Sequence, residues 1–180
     1  MFVRELTEMV GQLYNCVSIA TWVIFNEAWG QFDANKMTDY TRSLDTTRVI
    51  DQASGWHDQG GGDVKSLHVY FKKVRLPRDK NRVVCLTEFG GYSFKDGEHS
   101  FNPDGTYSYK KFATLDEFNA GVKKLYERDV IAQIDTGLSA AVYTQVSDVE
   151  DEVNGFLTYD RRVCKVDAKM MRAINERIKL

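Results

Sequence analysis

The chain has 180 residues, 43% of them hydrophobic and 28% charged, which is enough for one globular domain with a sizeable core. A formal net charge of -2 leaves no basic excess, so nucleic acid and anionic membrane are poor partners. No stretch is apolar for long enough to cross a membrane. The cysteines Cys16, Cys85 and Cys164 form no CxxC pair of the kind that builds zinc or redox centres.

Phe2, Leu6, Met9, Val10 and Leu13 recur at helical spacing and predict an amphipathic helix over 2–14. Its charges make it unlike a signal peptide. SIATWVIF, residues 18–25, predicts a buried strand that runs straight into Asn26 and Glu27. A short helix over 37–44 and a strand over 48–51 follow. Residues 52–63 read as a loop holding Trp56, His57 and three consecutive glycines. Strands are predicted at 64–71 and 82–89, the latter with Cys85 as a small core residue and Glu88 near its end.

Residues 90–112 form a loop long enough to suggest function, and Tyr92, Phe94, Phe101, Tyr107 and Tyr109 give it an aromatic surface. Thr114-Leu-Asp-Glu117 has the spacing of a capping box and opens a helix with Leu115, Phe118, Val122 and Leu125 inward. Gly137 ends that helix. A strand over 138–146, an acidic loop over 148–161 and a final helix capped by Asp167 complete the chain. Continuously apolar strands alternating with helices predict a parallel α/β sheet covered on both faces.

Two of these strands end in glutamate, Glu27 and Glu88. A single glutamate at a strand end is ordinarily a solvated rim residue or a cap. Two on apolar strands are a different matter, because in a parallel α/β barrel all strand C-termini share the face that carries the chemistry. Paired carboxylates are the machinery of glycoside hydrolysis. Asn26 adds an amide beside Glu27, Gly90 and Gly91 after Glu88 allow a sharp turn with room for a ligand, and His68 and Tyr70 share one side of their strand.

The segments SIATWVIFNEAWG, HVY, LTEFGG and AAVYTQVSDVEDEVNGFLTYDR together resemble the catalytic barrel of glycoside hydrolase family 2, the β-galactosidase and β-glucuronidase group. The resemblance implies an α/β fold of the (β/α)8 TIM-barrel type, truncated to about strands four to eight. Residues 1–180 would then be the C-terminal part of the catalytic domain of a longer enzyme. It implies Glu27 as general acid/base, Glu88 as nucleophile, Asn26 on the sugar 2-hydroxyl and Tyr70 on the Glu88 carboxylate. His68, Trp56 and His57 would line the sugar subsite, and Tyr143 and Gln145 would point into the pocket. A carbohydrate is the expected partner and no cofactor is expected.

Only 61 positions separate the glutamates, 88 minus 27, so the helices between them are expected to be short or missing. Open sheet edges predict self-association, and the absence of strands one to three predicts weak or no activity for the chain alone. A non-catalytic carbohydrate-binding or assembly module is one alternative reading, and a mannanase-like endo-β-glycosidase is another. Metal chemistry is not expected, because Glu98-His99 has no HExxH partner. The Gly60–Gly62 run lacks the lysine of a phosphate loop.

Overall fold

A computed structural model of the chain describes residues 1–105, 107 and 109–178. Thr106 and Ser108 of the aromatic loop lie outside the described residues. The chain divides into two compact units, Met1–His68 with Pro77–Cys85, and Val69–Leu76 with Leu86–Leu180.

In the first unit, helix α1 (Phe2–Leu13) buries Leu6 and Val10 against Trp22 of strand β1 (Thr21–Asn26). Helix α2 (Ala34–Leu44) follows, and it is the one helix between the two glutamates. Ala34 joins Ile24, Phe25 and Ile50 in a second apolar cluster. Strand β2 (Val49–Ser54) lies parallel to β1, with Trp22 opposite Ile50 and Asn26 opposite Ser54.

β2 is longer than its sequence suggests. Gln52 and Ser54 read as loop residues because polar side chains are depleted in strands, yet they are buried, as is Asp51 before them. Gln52, Ser54 and one Asp51 oxygen find partners in the protein, while Asp51 Oδ1 is buried without a hydrogen bond. Gln52 donates to Asn35 at 2.7 Å and accepts from the Gln59 backbone at 3.1 Å, and Ser66 donates to Asp51. Trp22 is held likewise: its indole N–H donates to Asp45 at 2.9 Å, and Arg48 donates to the same carboxylate oxygen at 2.7 Å.

Strand β3 (Val64–Val69) ends two residues earlier than expected, so Tyr70 and Phe71 follow the strand. Strand β4 (Val83–Gly90) and strand β7 (Leu138–Thr144) are neighbours in a sheet. The two-residue strands β5 (Tyr92–Ser93) and β6 (Lys110–Lys111) pair in parallel and close the base of the aromatic loop.

In the second unit, helix α3 (Leu115–Tyr126) opens with the expected capping box: Thr114 accepts from the Glu117 backbone and Glu117 accepts from the Thr114 backbone. It passes through a π-helical turn at Glu127–Ile131 into the short helix α4 (Ala132–Ile134). Helix α5 (Ala168–Asn175) is capped by Asp167, as expected. β7 differs from its apolar reading. Leu138 is buried, while Ser139, Ala140, Ala141 and Val142 are exposed.

Lys165 holds the loops of this unit together. It is 1% exposed, and its ammonium donates to both Asp148 oxygens at 2.8 and 3.0 Å, to Phe94 O at 3.0 Å and to Val153 O at 3.1 Å. Asp148 also accepts from the Gly155 backbone at 2.7 Å. Burial pushes the lysine down and the aspartate up, so each keeps its charge through the other.

Two predictions follow from these buried charges. Lys165→Met leaves Asp148 buried without its cation and is expected to cost about 3–5 kcal/mol in urea unfolding, with Lys165→Met/Asp148→Asn costing less than the single change. Hydrogen bonds from Thr47, Trp22 and Arg48 hold the Asp45 carboxyl well below the usual carboxylate range. That contribution is present above the unfolded value of about 3.9 and is lost as the pH falls below it. The melting temperature of Asp45→Asn is therefore expected to change less than that of wild type between neutral pH and pH ~3.

Candidate active site

β1 places Glu27. The strand buries Trp22, Ile24 and Phe25, and the backbone turns left-handed immediately after it, with φ of 51° at Glu27 and 65° at Ala28. Residues with a Cβ seldom adopt this region, and a neighbouring structure must enforce it. The enforcing contact is the Glu27 N–H, which donates to Ser54 O at 2.9 Å and so adds one bond to the β1–β2 ladder.

The Glu27 carboxylate meets His68. Glu27 Oε1 lies 2.7 Å from His68 Nδ1, and His68 Nε2 lies 2.9 Å from Ser54 Oγ. The imidazole is fully buried and the glutamate side chain partly open. With Nδ1 protonated, the ring donates to an ionised Glu27 and accepts from the Ser54 hydroxyl. With Glu27 protonated, the acid donates to Nδ1 and Nε2–H donates to Ser54. Either proton distribution leaves every atom of the chain paired. Trp56 approaches the His68 ring edge-on at 6.3 Å.

β4 places Glu88 in the second unit. Tyr70 donates its hydroxyl to Glu88 Oε2, and the same hydroxyl lies 3.0 Å from Thr144 Oγ1 on β7. Burial, and then the hydrogen bond to Glu88, push the Tyr70 phenol well above its ordinary value. Tyr70 therefore stays protonated and acts as a fixed donor to the carboxylate. The glycines after Glu88, read as room for a ligand, make room for rings of the protein itself. Gly90 and Gly91 have φ of 97° and 61°. A Cβ on Gly90 would lie 2.3 Å from the Tyr143 ring, and one on Gly91 would lie 2.1 Å from the Tyr109 ring.

The other expected site residues fall as follows. Asn26 is exposed at the end of β1. His57 is exposed at a φ of 56°, and its carbonyl accepts from Gln31 at 2.9 Å. Tyr143 stacks on Phe156 with ring centres 4.0 Å apart, and its hydroxyl donates to Tyr92 O at 3.3 Å. Gln145 donates its amide to Asn154 at 2.8 Å. Both side chains are thus engaged with protein groups. Ser54 and Thr144 were not named from the sequence, and Tyr109 was named only as one of the aromatics of its loop. Ser54 was hidden by the misread end of β2, although its register opposite Asn26 is what brings it to His68.

No protein-family model matches the sequence, and comparison with curated proteins finds no match. Solved structures do match. The β-D-glucuronidase of Dictyoglomus thermophilum superposes with a TM-score of 0.62 at 16% identity, over 99% of this chain and 35% of its own. The β-glucuronidase of Faecalibacterium prausnitzii gives 0.62 at 15%, over 98% and 34%. A family GH2 β-galacturonidase of Eisenbergiella tayi, bound to galacturonate, gives 0.66 at 16%, over 99% and 36%. At these identities the likeness is one of fold, and the chain spans about a third of the length of the proteins it matches. The fold is mixed α/β with parallel strand pairs, and the solved structures that it matches include two β-glucuronidases and a family GH2 β-galacturonidase.

Gly55 tests the placement of His68. It has a φ of 92°, and a Cβ there would lie 2.5 Å from His68 Nδ1. Gly55→Ala is expected to break the His68–Glu27 hydrogen bond, seen as a shift of the His68 ring nitrogens in a ¹⁵N NMR spectrum toward those of Glu27→Ala.

Proposed function

We propose that this chain carries the catalytic carboxylates of a retaining β-glycosidase related to glycoside hydrolase family 2, in a fold corresponding to strands four to eight of a (β/α)8 barrel. Glu88 attacks the anomeric carbon. Glu27 protonates the departing oxygen and then, as a base, takes a proton from the water that releases the sugar. Asn26 binds the sugar 2-hydroxyl, and Trp56 and His57 border the subsite.

The observation that carries this reading is the donor on Glu88. A nucleophilic carboxylate has to remain ionised and aimed, and a hydrogen bond to the charged form favours both. Tyr70 supplies it from a phenol that does not itself ionise. Glu27 has the complementary support: His68 and Ser54 can satisfy it with or without its proton, as a group that gives up a proton and regains it requires.

Ser54, His68 and Glu27 also stand in the atom order of a serine hydrolase triad. Ser54 is 5% exposed, however, and its hydroxyl is spent on the ring. It reads as the end of the hydrogen-bond chain that steadies Glu27.

The test is hydrolysis of aryl β-glycosides of glucuronic acid, galacturonic acid and galactose. Weak release of the aryl group by wild type, abolished by Glu88→Ala, is the expected result. Glu27→Gln is expected to lose about 10²–10⁴-fold on substrates with poor leaving groups and much less on dinitrophenyl glycosides, which need no proton on departure. Binding of the free sugars without turnover of any glycoside would instead favour a carbohydrate-binding module.

A further inference from the structure

The aromatic loop between β5 and β6 returns one of its rings to the Glu88 cluster. Tyr109 lies flat on Tyr70, with ring centres 3.9 Å apart and planes 7° from parallel. Tyr70 is the residue whose hydroxyl donates to Glu88. Tyr109 is flanked in turn by Tyr107 at 5.9 Å and Phe71 at 5.4 Å, both edge-on. Phe71 is 82% exposed and Tyr107 56%, so they form the outer layer and Tyr109 the inner one.

Gly91 fixes where the inner ring sits. A Cβ at this position would lie 2.1 Å from Tyr109 Cδ2 and 3.0 Å from Cε2 and Cγ. Gly91 also has a φ of 61° and donates its N–H to Thr144 O at 3.0 Å. Thr144 is the second partner of the Tyr70 hydroxyl. One glycine therefore opens the seat for Tyr109 and ties the backbone of β7 beside the same phenol.

We propose that Tyr109 is a positioning residue for the Glu88 nucleophile, seated by Gly91 and acting through Tyr70. The ring closes one face of Tyr70, keeps water from its hydroxyl and limits the phenol to the rotation that aims it at Glu88. A flat stack holds a ring more tightly in orientation than loose apolar contact does, because offset aromatic pairs have preferred geometries. The groups that face the phenol are Glu88, Thr144 and Tyr109, and burial is the leading cause of its raised ionisation. This role rests on the glycosidase reading above for its chemical purpose. The contact between Tyr109 and Tyr70 does not.

The experiment separates the two. The 180-residue chain is labelled with ¹³Cζ-tyrosine, and the Tyr70 signal is assigned by its loss in Tyr70→Phe. In wild type and in Tyr109→Phe, which keeps the ring, the Tyr70 signal is expected to stay unshifted at least one pH unit above the ordinary tyrosine value of about 10. In Tyr109→Ala and Gly91→Ala it is expected to titrate at a lower pH than in wild type, still above the ordinary value because the hydrogen bond to Glu88 remains. Gly91→Ala displaces Tyr109 without deleting it, so the outcome does not rest on one truncation.

In parallel, 2-deoxy-2-fluoro-β-glycosyl fluorides of the three sugars are used to trap the nucleophile. A bond forms from the Glu88 oxygen to the anomeric carbon as fluoride leaves, and mass spectrometry locates the adduct. Trapping is expected to slow about tenfold in Tyr109→Ala and Gly91→Ala, with the half-saturating reagent concentration unchanged. If Tyr70 titrates alike in all variants, the positioning role is overturned. It is also overturned if Tyr70 shifts while trapping keeps its wild-type rate. If wild type forms no adduct but Tyr70 shifts as described, the glycosidase reading fails and the hold of Tyr109 on Tyr70 stands.

Discussion

The cost of carrying charge and polarity on buried strands governs this structure. A carboxylate or ammonium withdrawn from water has to be paired, or the chain does not fold around it. Each unit meets the demand with its own chain of donors and acceptors. In the first, Asp45 gathers Trp22, Thr47 and Arg48, and Glu27 leans on His68 and Ser54. In the second, Asp148 and Lys165 neutralise each other among backbone carbonyls, and Glu88 takes the Tyr70 hydroxyl. The polar residues that interrupt the apolar strands are the points where distant segments are tied.

Backbone placement serves the same end. The Glu27 side chain is useful only where the chain leaves the β1 ladder, and the bond to Ser54 O sets that point. The left-handed turn there is unfavourable for a residue with a Cβ, so the ladder and the His68 contact have to sustain it. On the other strand the unfavourable geometry falls on glycines. Gly90 and Gly91 turn where a side chain would collide with Tyr143 and Tyr109. One turn holds a charged side chain in a strained position, and the other removes side chains so that rings can close in.

Much of this was legible in the sequence, and the failures have a common cause. Helices α1, α3 and α5 follow from apolar spacing and from caps whose residues act locally, Thr114 with Glu117 and Asp167 with Lys169. Both glutamates were visible because an apolar run that stops at a carboxylate is improbable as core. The end of β2 was not visible, because Gln52 and Ser54 look like loop until their partners on other segments are known. The purpose of Gly90 and Gly91 was misread for the same reason. A glycine announces that space is needed, and only the fold says what fills it. Tyr109 sat in a run of aromatics in which periodicity favoured no single ring.

The two glutamates are supported in unlike ways, and this asymmetry bears on the proposed chemistry. A donor that never ionises, such as Tyr70, stabilises one charge state of its carboxylate and would oppose a role that alternates between two. An imidazole backed by a hydroxyl does the reverse, since its two tautomers accept either state of Glu27 at equal hydrogen-bond count. Exchanging the roles would set the fixed donor of Tyr70 on the carboxylate that cycles and the adaptable His68–Ser54 pair on the one that does not. A double displacement needs one carboxylate that stays charged until it forms a bond and one that cycles. The assignment of Glu88 as nucleophile and Glu27 as acid/base therefore has physical support in their hydrogen-bond partners, independent of the resemblance that first suggested it.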